Sequence, residues 1–141
     1  MLGNVGSVMS LDFRTRIIFT DLTELPVEYL YNNPDLYRNR LLYPGVCKVL
    51  DIVDKGIEDT IMLRFKSGMT LQCTQDHPIV VGYGTPVEAT FCRHGIIYEY
   101  TRLKNDHVAE LSYGGECRVY DVVSKDSALF IANNVVVQSC H

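Results

Sequence analysis

Leu71-Gln72-Cys73-Thr74-Gln75-Asp76-His77-Pro78 sets a hydroxyl and an imidazole three residues apart, after an apolar run and just before a proline. The run is the second arm of a hairpin. Residues 60–65 form its first strand, Lys66-Ser67-Gly68 its turn, and residues 69–74 the return. Thr74 and His77 therefore stand where a strand gives way to a turn, a place that can present both side chains together.

Working outward, the signal stays β. Residues 16–19, 46–53, 95–101, 117–124, 129–132 and 135–137 read as strands from their β-branched and alternating apolar residues. Asn133-Asn134 between the last two is a pair that tolerates positive φ and marks a turn. One helix is expected over residues 23–32, with Thr23 as candidate cap and Pro26 near the first turn. Residues 33–43, 85–94 and 104–115 read as loops, and residues 1–9 as a small, Gly-containing leader. Many short strands with turn signals between them predict an all-β fold.

The bulk composition excludes several classes. The chain has 141 residues, 47% of them hydrophobic, which is enough for one domain with a core. A net charge of −4 argues against a nucleic-acid-binding surface. No run reaches the roughly 20 apolar residues that span a bilayer, and no signal-peptide pattern opens the chain. A cytoplasmic monomer is expected. The five cysteines, Cys47, Cys73, Cys92, Cys117 and Cys140, show no CxxC spacing, so neither a zinc ribbon nor a disulfide framework is predicted. The first four read as buried thiols. Cys140 differs, lying one residue from the end.

Both ends carry a nucleophile. Ser10 opens Ser10-Leu11-Asp12-Phe13-Arg14-Thr15-Arg16-Ile17-Ile18-Phe19-Thr20. The far end reads Val119-Tyr120-Asp121, then Phe130-Ile131-Ala132-Asn133-Asn134-Val135-Val136-Val137-Gln138-Ser139-Cys140. Together with the Thr74/His77 stretch, these segments resemble a protein-splicing element, an intein of the Hedgehog/intein (Hint) superfamily. The resemblance runs from Ser10 to Cys140. The segment between His77 and Val119 leaves no room for a homing endonuclease, so it is a mini-intein that the chain resembles.

The resemblance implies an all-β horseshoe whose two ends meet at its centre, with one short helix. It divides the chain into an N-terminal flank (1–9), the Hint domain (10–139) and a C-terminal flank (140–141). The implied activity is autocatalytic: excision of the domain and ligation of its flanks, its only partners, with no cofactor or metal. Ser10 would attack the carbonyl of Met9 to give an ester. Thr74 and His77 match the TxxH motif that activates that bond. Asp121 matches the residue that relays protons between the two ends. Phe130 matches an aromatic core position.

The chain departs from the pattern in three places. Phe13-Arg14 stands where the family has Gly-Asp, and Ala128 where it often has histidine. Members usually end His-Asn before a Cys, Ser or Thr. Counting from Phe130, Gln138 takes the His position, Ser139 the Asn position, and Cys140 that of the downstream nucleophile. Serine has no amide and cannot cyclise, so this register implies a precursor stalled before C-terminal cleavage. The other register ends the domain at Gln138, which cyclises to a glutarimide, with Ser139 as nucleophile. Alternatives remain: a Hint domain that only cleaves its flanks, and a β-rich interaction module without chemistry. The module is favoured if Ser10, His77 and the C-terminus lie far apart. A cysteine hydrolase built on Cys140 fits poorly, since a nucleophile at a chain end is hard to enclose. His94 and His107 read as solvated loop residues. His141 with Cys140 and His77 would suit Zn²⁺ only if both termini meet.

Overall fold

The computed structural model describes residues 9–82 and 84–140. Twelve strands join into one hydrogen-bonded system. In chain order they are β1 (Leu11–Asp12), β2 (Arg16–Ile18), β3 (Glu24–Pro26), β4 (Leu41–Leu42), β5 (Cys47–Phe65) and β6 (Thr70–Cys73). After these come β7 (Pro78–Val81), β8 (Thr85–Glu88), β9 (His94–Glu99), β10 (Arg102–Ser124), β11 (Leu129–Ala132) and β12 (Val135–Gln138). One short helix, α1 (Val27–Asn32), follows β3. The expected all-β fold with one short helix is what the chain adopts.

The frame is the antiparallel pair β5–β10. These strands run 19 and 23 residues and stay paired from Val108↔Phe65 to Ser124↔Val49. Strands of that length must bend to enclose a core, and bulges supply the bend. The register shifts at four points, among them Tyr113/Gly115 and Val119/Tyr120. Gly56 lies at the second of these with φ of 83°, a backbone state that favours glycine. Gly114 lies at the first, where an added Cβ would come within 2.7 Å of Thr60 Oγ1.

Five local expectations are corrected. Residues 47–53 and 60–65 belong to one continuous strand rather than two, and Val46 lies in the turn before it. Residues 104–115, read as a loop, belong to β10; their side chains are mostly exposed, so no apolar alternation marks the strand. Residues 85–94 contain β8 and a 3₁₀ turn at Ala89–Phe91, and residues 33–43 a 3₁₀ turn at Pro34–Leu36 and β4. The helix begins later than expected, at Val27, because Glu24–Pro26 is taken up by pairing with β2 (Ile17↔Leu25). Its first free N–H groups are met from the N-terminal segment: Val27 N–H donates to Thr15 O (2.7 Å) and Glu28 N–H to Phe13 O (3.2 Å). Tyr120 Oη donates to Glu28 Oε2 (2.9 Å), tying the helix to β10.

Asn133 and Asn134 have φ of 49° and 65° and close the β11–β12 hairpin (Ala132↔Val135), as their side chains allow. Phe130 is fully buried, as are Phe65, Leu71 and Ile97. Cys47, Cys73 and Cys92 are buried, and Cys117 is partly so. No helix among the described residues is long and apolar enough to cross a membrane.

Candidate functional site

Both ends of the chain are held on one short stretch of β10. β1 pairs with it in the register Leu11↔Tyr120 and Asp12↔Val119. Two residues further along the same edge, opposite the one paired with β5, Cys140 N–H donates to Val122 O (3.0 Å), and Ser124 N–H to Cys140 O (2.8 Å). Asp121 lies between the two anchor points. Ser10 directly precedes Leu11, so the first and last candidate nucleophiles flank the same carboxyl group in the chain's course. Ser10 and Cys140 are both buried, at 0% and 8% exposure. Ser10 and Cys140 thus lie near one another along β10, rather than in the distant arrangement that would favour an interaction module.

Thr74 reaches Ser10 through the hairpin. Leu11 pairs with Cys73, the last residue of β6, so the next residue meets the residue before Leu11. Thr74 N–H donates to Ser10 O (2.9 Å), and Ser10 N–H donates to Thr74 Oγ1 (2.9 Å). The amide nitrogen of the Met9–Ser10 bond is thus held by the threonine hydroxyl. His77 follows one turn on, its N–H donating to Thr74 O (3.2 Å). Its ring is buried, with Nδ1 3.3 Å from Pro78 O.

A cavity of about 310 Å³ joins the two ends. Met9 lines it together with Asp76, Gln138, Ser139 and Cys140. Within it Ser139 is buried and fully engaged. Ser124 Oγ donates to Asp126 O (2.6 Å), which leaves Ser139 Oγ to donate to Ser124 Oγ (2.6 Å). Ser139 Oγ in turn accepts from Ala128 N–H (3.0 Å). Gln138 ends β12 opposite Leu129 and is half-buried.

No protein-family profile and no curated protein sequence matches the chain. Solved structures do. A DnaB intein from Synechocystis sp. PCC 6803 superposes with a TM-score of 0.76 over 94% of this chain and 99% of that one, at 15% identity. A mutant of an Ssp DnaB mini-intein variant reaches 0.80 over 95% and 93%, at 14% identity. The chain has the Hint fold of the mini-inteins. A bacterial intein-like domain from Clostridium thermocellum has the same fold, with a TM-score of 0.67 over 94% of this chain and 100% of that one, at 17% identity.

Within this Hint fold, burial sets the electrostatics of the cleft. His77 is pushed down to about 4, mainly by burial, so its imidazole is neutral across the physiological range. Asp121 is pushed up to about 6, again by burial, with the Cys140 thiol and the charge of Lys55 partly offsetting. Its Oδ1 is buried without a hydrogen-bond partner among the described residues, which also disfavours the ionised form. Cys140 is pushed up to about 12 by burial and then by the neighbouring Asp121, so its thiol is protonated at neutral pH.

The Asp121 shift has a measurable consequence for stability. A folded value above the ordinary 3.8 means stability from this group is fully present below about pH 4 and is lost as pH rises through about 6. Asp121→Asn, which cannot ionise, stabilises the protein at pH 8 by on the order of 1–3 kcal/mol and leaves it unchanged at pH 4. Thermal melts of both proteins at the two pH values check this.

Several residues of the Hint cleft were not among the sequence candidates. Ser124 holds Ser139, Lys55 adds positive charge facing Asp121, and Asp76 accepts from Thr74 Oγ1 (2.8 Å). Arg14, at one departure from the family pattern, clamps Asp12 through Nε and Nη2 (both 3.1 Å) and reaches Gln72. His94 and His107 are paired across β9 and β10 rather than in loops, their ring centroids 6.4 Å apart. His141 and residues 1–8 lie outside the described residues. Among the described residues no group of three or more metal-ligating side chains is placed to hold an ion.

Proposed function

We propose that this chain is an autocatalytic protein-splicing domain that performs the N-terminal and branching steps and stalls before C-terminal cleavage. Residues 1–9 and 140–141 are its flanks, and residues 10–139 the domain. The observation that carries the reading is the shared cleft: Met9, whose carbonyl precedes Ser10, and Cys140 line one cavity.

In the first step Ser10 Oγ attacks the Met9 carbonyl carbon. The C–N bond breaks, an ester forms, and the hydroxyl proton ends on the Ser10 nitrogen. His77, neutral and buried, suits a proton carrier between those atoms. Thr74 Oγ1 holds the departing nitrogen by accepting the Ser10 N–H. In the second step Cys140 Sγ attacks the ester carbonyl. The ester C–O bond breaks, Ser10 recovers its hydroxyl, and a thioester joins residues 1–9 to Cys140. Asp121 suits the acceptor of the thiol proton: the two groups face each other, and a carboxyl near 6 is mostly ionised at pH 7.

The last step needs a side-chain amide to attack its own main-chain carbonyl. Ser139 has none, and its hydroxyl is tied to Ser124 and Ala128. The register with Cys140 as downstream nucleophile is favoured because Cys140, not Ser139, faces Asp121. The same missing amide supports a second reading, a Hint domain that releases only its N-terminal flank.

N-terminal sequencing of the full chain after a day at neutral pH tests the proposal. The branched species has the mass of the linear chain but two N-termini, at Met1 and Ser10. Dithiothreitol then removes residues 1–9 by attacking the thioester. A lone Met1 N-terminus on the folded chain, unaltered by dithiothreitol, contradicts the branching step.

A further inference from the structure

We infer that Asp76 is a positioning residue for the N-terminal step, acting through the proton of Thr74. The inference rests on the splicing reading above and concerns a residue outside the Thr74/His77 pair. Thr74 Oγ1 has three polar neighbours: Ser10 N at 2.9 Å, Asp76 Oδ1 at 2.8 Å and Ser10 O at 3.3 Å. The Ser10 N–H can only donate, so the threonine oxygen must accept there. Its own proton has two acceptors left. The carboxylate oxygen is closer and charged, and Ser10 O already accepts the Thr74 N–H. The proton therefore goes to Asp76, and a lone pair is left aimed at Ser10 N–H.

That lone pair matters because a peptide unit is planar and trans. Fixing the N–H of the Met9–Ser10 unit fixes the plane of the Met9 carbonyl, with its oxygen directed away from Thr74. The face that Ser10 Oγ must attack is set by the same contact. Without Asp76 the threonine proton turns to Ser10 O, the lone pair swings off the amide, and the scissile plane loses its anchor. Asp76 is well placed for this, since it lines the same cavity as Met9 and Cys140. Asp76 selects which of two orientations the Thr74 hydroxyl adopts.

Asn separates this role from the charge, because its carbonyl oxygen still accepts the threonine proton. In the full chain, hydroxylamine releases residues 1–9 about 10-fold more slowly in Asp76→Ala than in the unaltered protein. Asp76→Asn stays within about 3-fold of the unaltered rate. The Ser10 amide proton, read by NMR, moves upfield in Asp76→Ala and keeps its position in Asp76→Asn. Unaltered kinetics in Asp76→Ala overturn the inference, as does an Asp76→Asn as slow as the alanine variant. If the unaltered chain releases nothing, the splicing reading fails by itself. The NMR arm still decides the positioning role: a Ser10 amide unmoved by Asp76→Ala overturns it, and one that moves and is restored by asparagine upholds it.

Discussion

Combining Gln138→His with Ser139→Asn starts cleavage between residues 139 and 140. The introduced asparagine brings the missing group: its amide nitrogen attacks its own carbonyl carbon, a succinimide forms, and the amine of Cys140 leaves. Ser139 lines the 310 Å³ cavity, so the larger side chain has room to extend into it. The Ala128 N–H that now donates to Ser139 Oγ is in place to hold the new side-chain oxygen. Ser139→Asn alone gives slow release. Adding Gln138→His supplies a general acid for the leaving amine and speeds release by roughly 10²-fold. Intact mass over a day, with a reporter fused after His141, reads the result. A folded double variant that releases no reporter would mean that position 139 does not carry the cyclising residue.

His77→Ala lowers hydroxylamine-dependent release of residues 1–9 by roughly 10²–10⁴-fold, the range a positioned acid–base group contributes. The ring is 1% exposed, so its loss also leaves a cavity that costs about 1–3 kcal/mol; circular dichroism at the assay temperature separates unfolding from lost chemistry. The pH profile carries a second signature. An ordinary histidine near 6.5 would already be half protonated at that pH. His77, held down to about 4 by burial, stays neutral, so the release rate shows no fall on its account between pH 8 and pH 5. The burial that lowers it also acts on stability: the neutral form is favoured in the fold, and that contribution is lost as pH falls from about 6.5 towards 4.

What was legible in the sequence was local. The hairpin into Thr74 and the Asn133-Asn134 turn follow from residue types that fix their own backbone, and both stand where expected. The early half of β10 was not legible, because a twisted strand with both faces largely in water shows no alternation. The helix start was misjudged because pairing with β2 overrode a reasonable cap signal. At the candidate site, Ser10, Thr74, His77, Asp121 and Cys140 were nominated because each sits in a recognisable run. Ser124 and Lys55 were not, since their meaning depends on a register between distant segments: β10 against the last residues, and β5 against β10. Asp76 was in plain view inside the deciding stretch. A lone aspartate in a turn ordinarily caps its own backbone, and only the meeting of residues 10 and 74 gives it another use.

Treatment of the unaltered, folded chain with hydroxylamine at neutral pH, followed by intact mass, tests the central claim most directly. The splicing reading predicts a chain beginning at Ser10 and a hydroxamate of residues 1–9, because an ester or thioester at the Met9 carbonyl is open to that nucleophile and a peptide bond is not. A mass that stays unchanged while the protein remains folded would contradict it, leaving the meeting of Met9, Ser10 and Cys140 as architecture without chemistry.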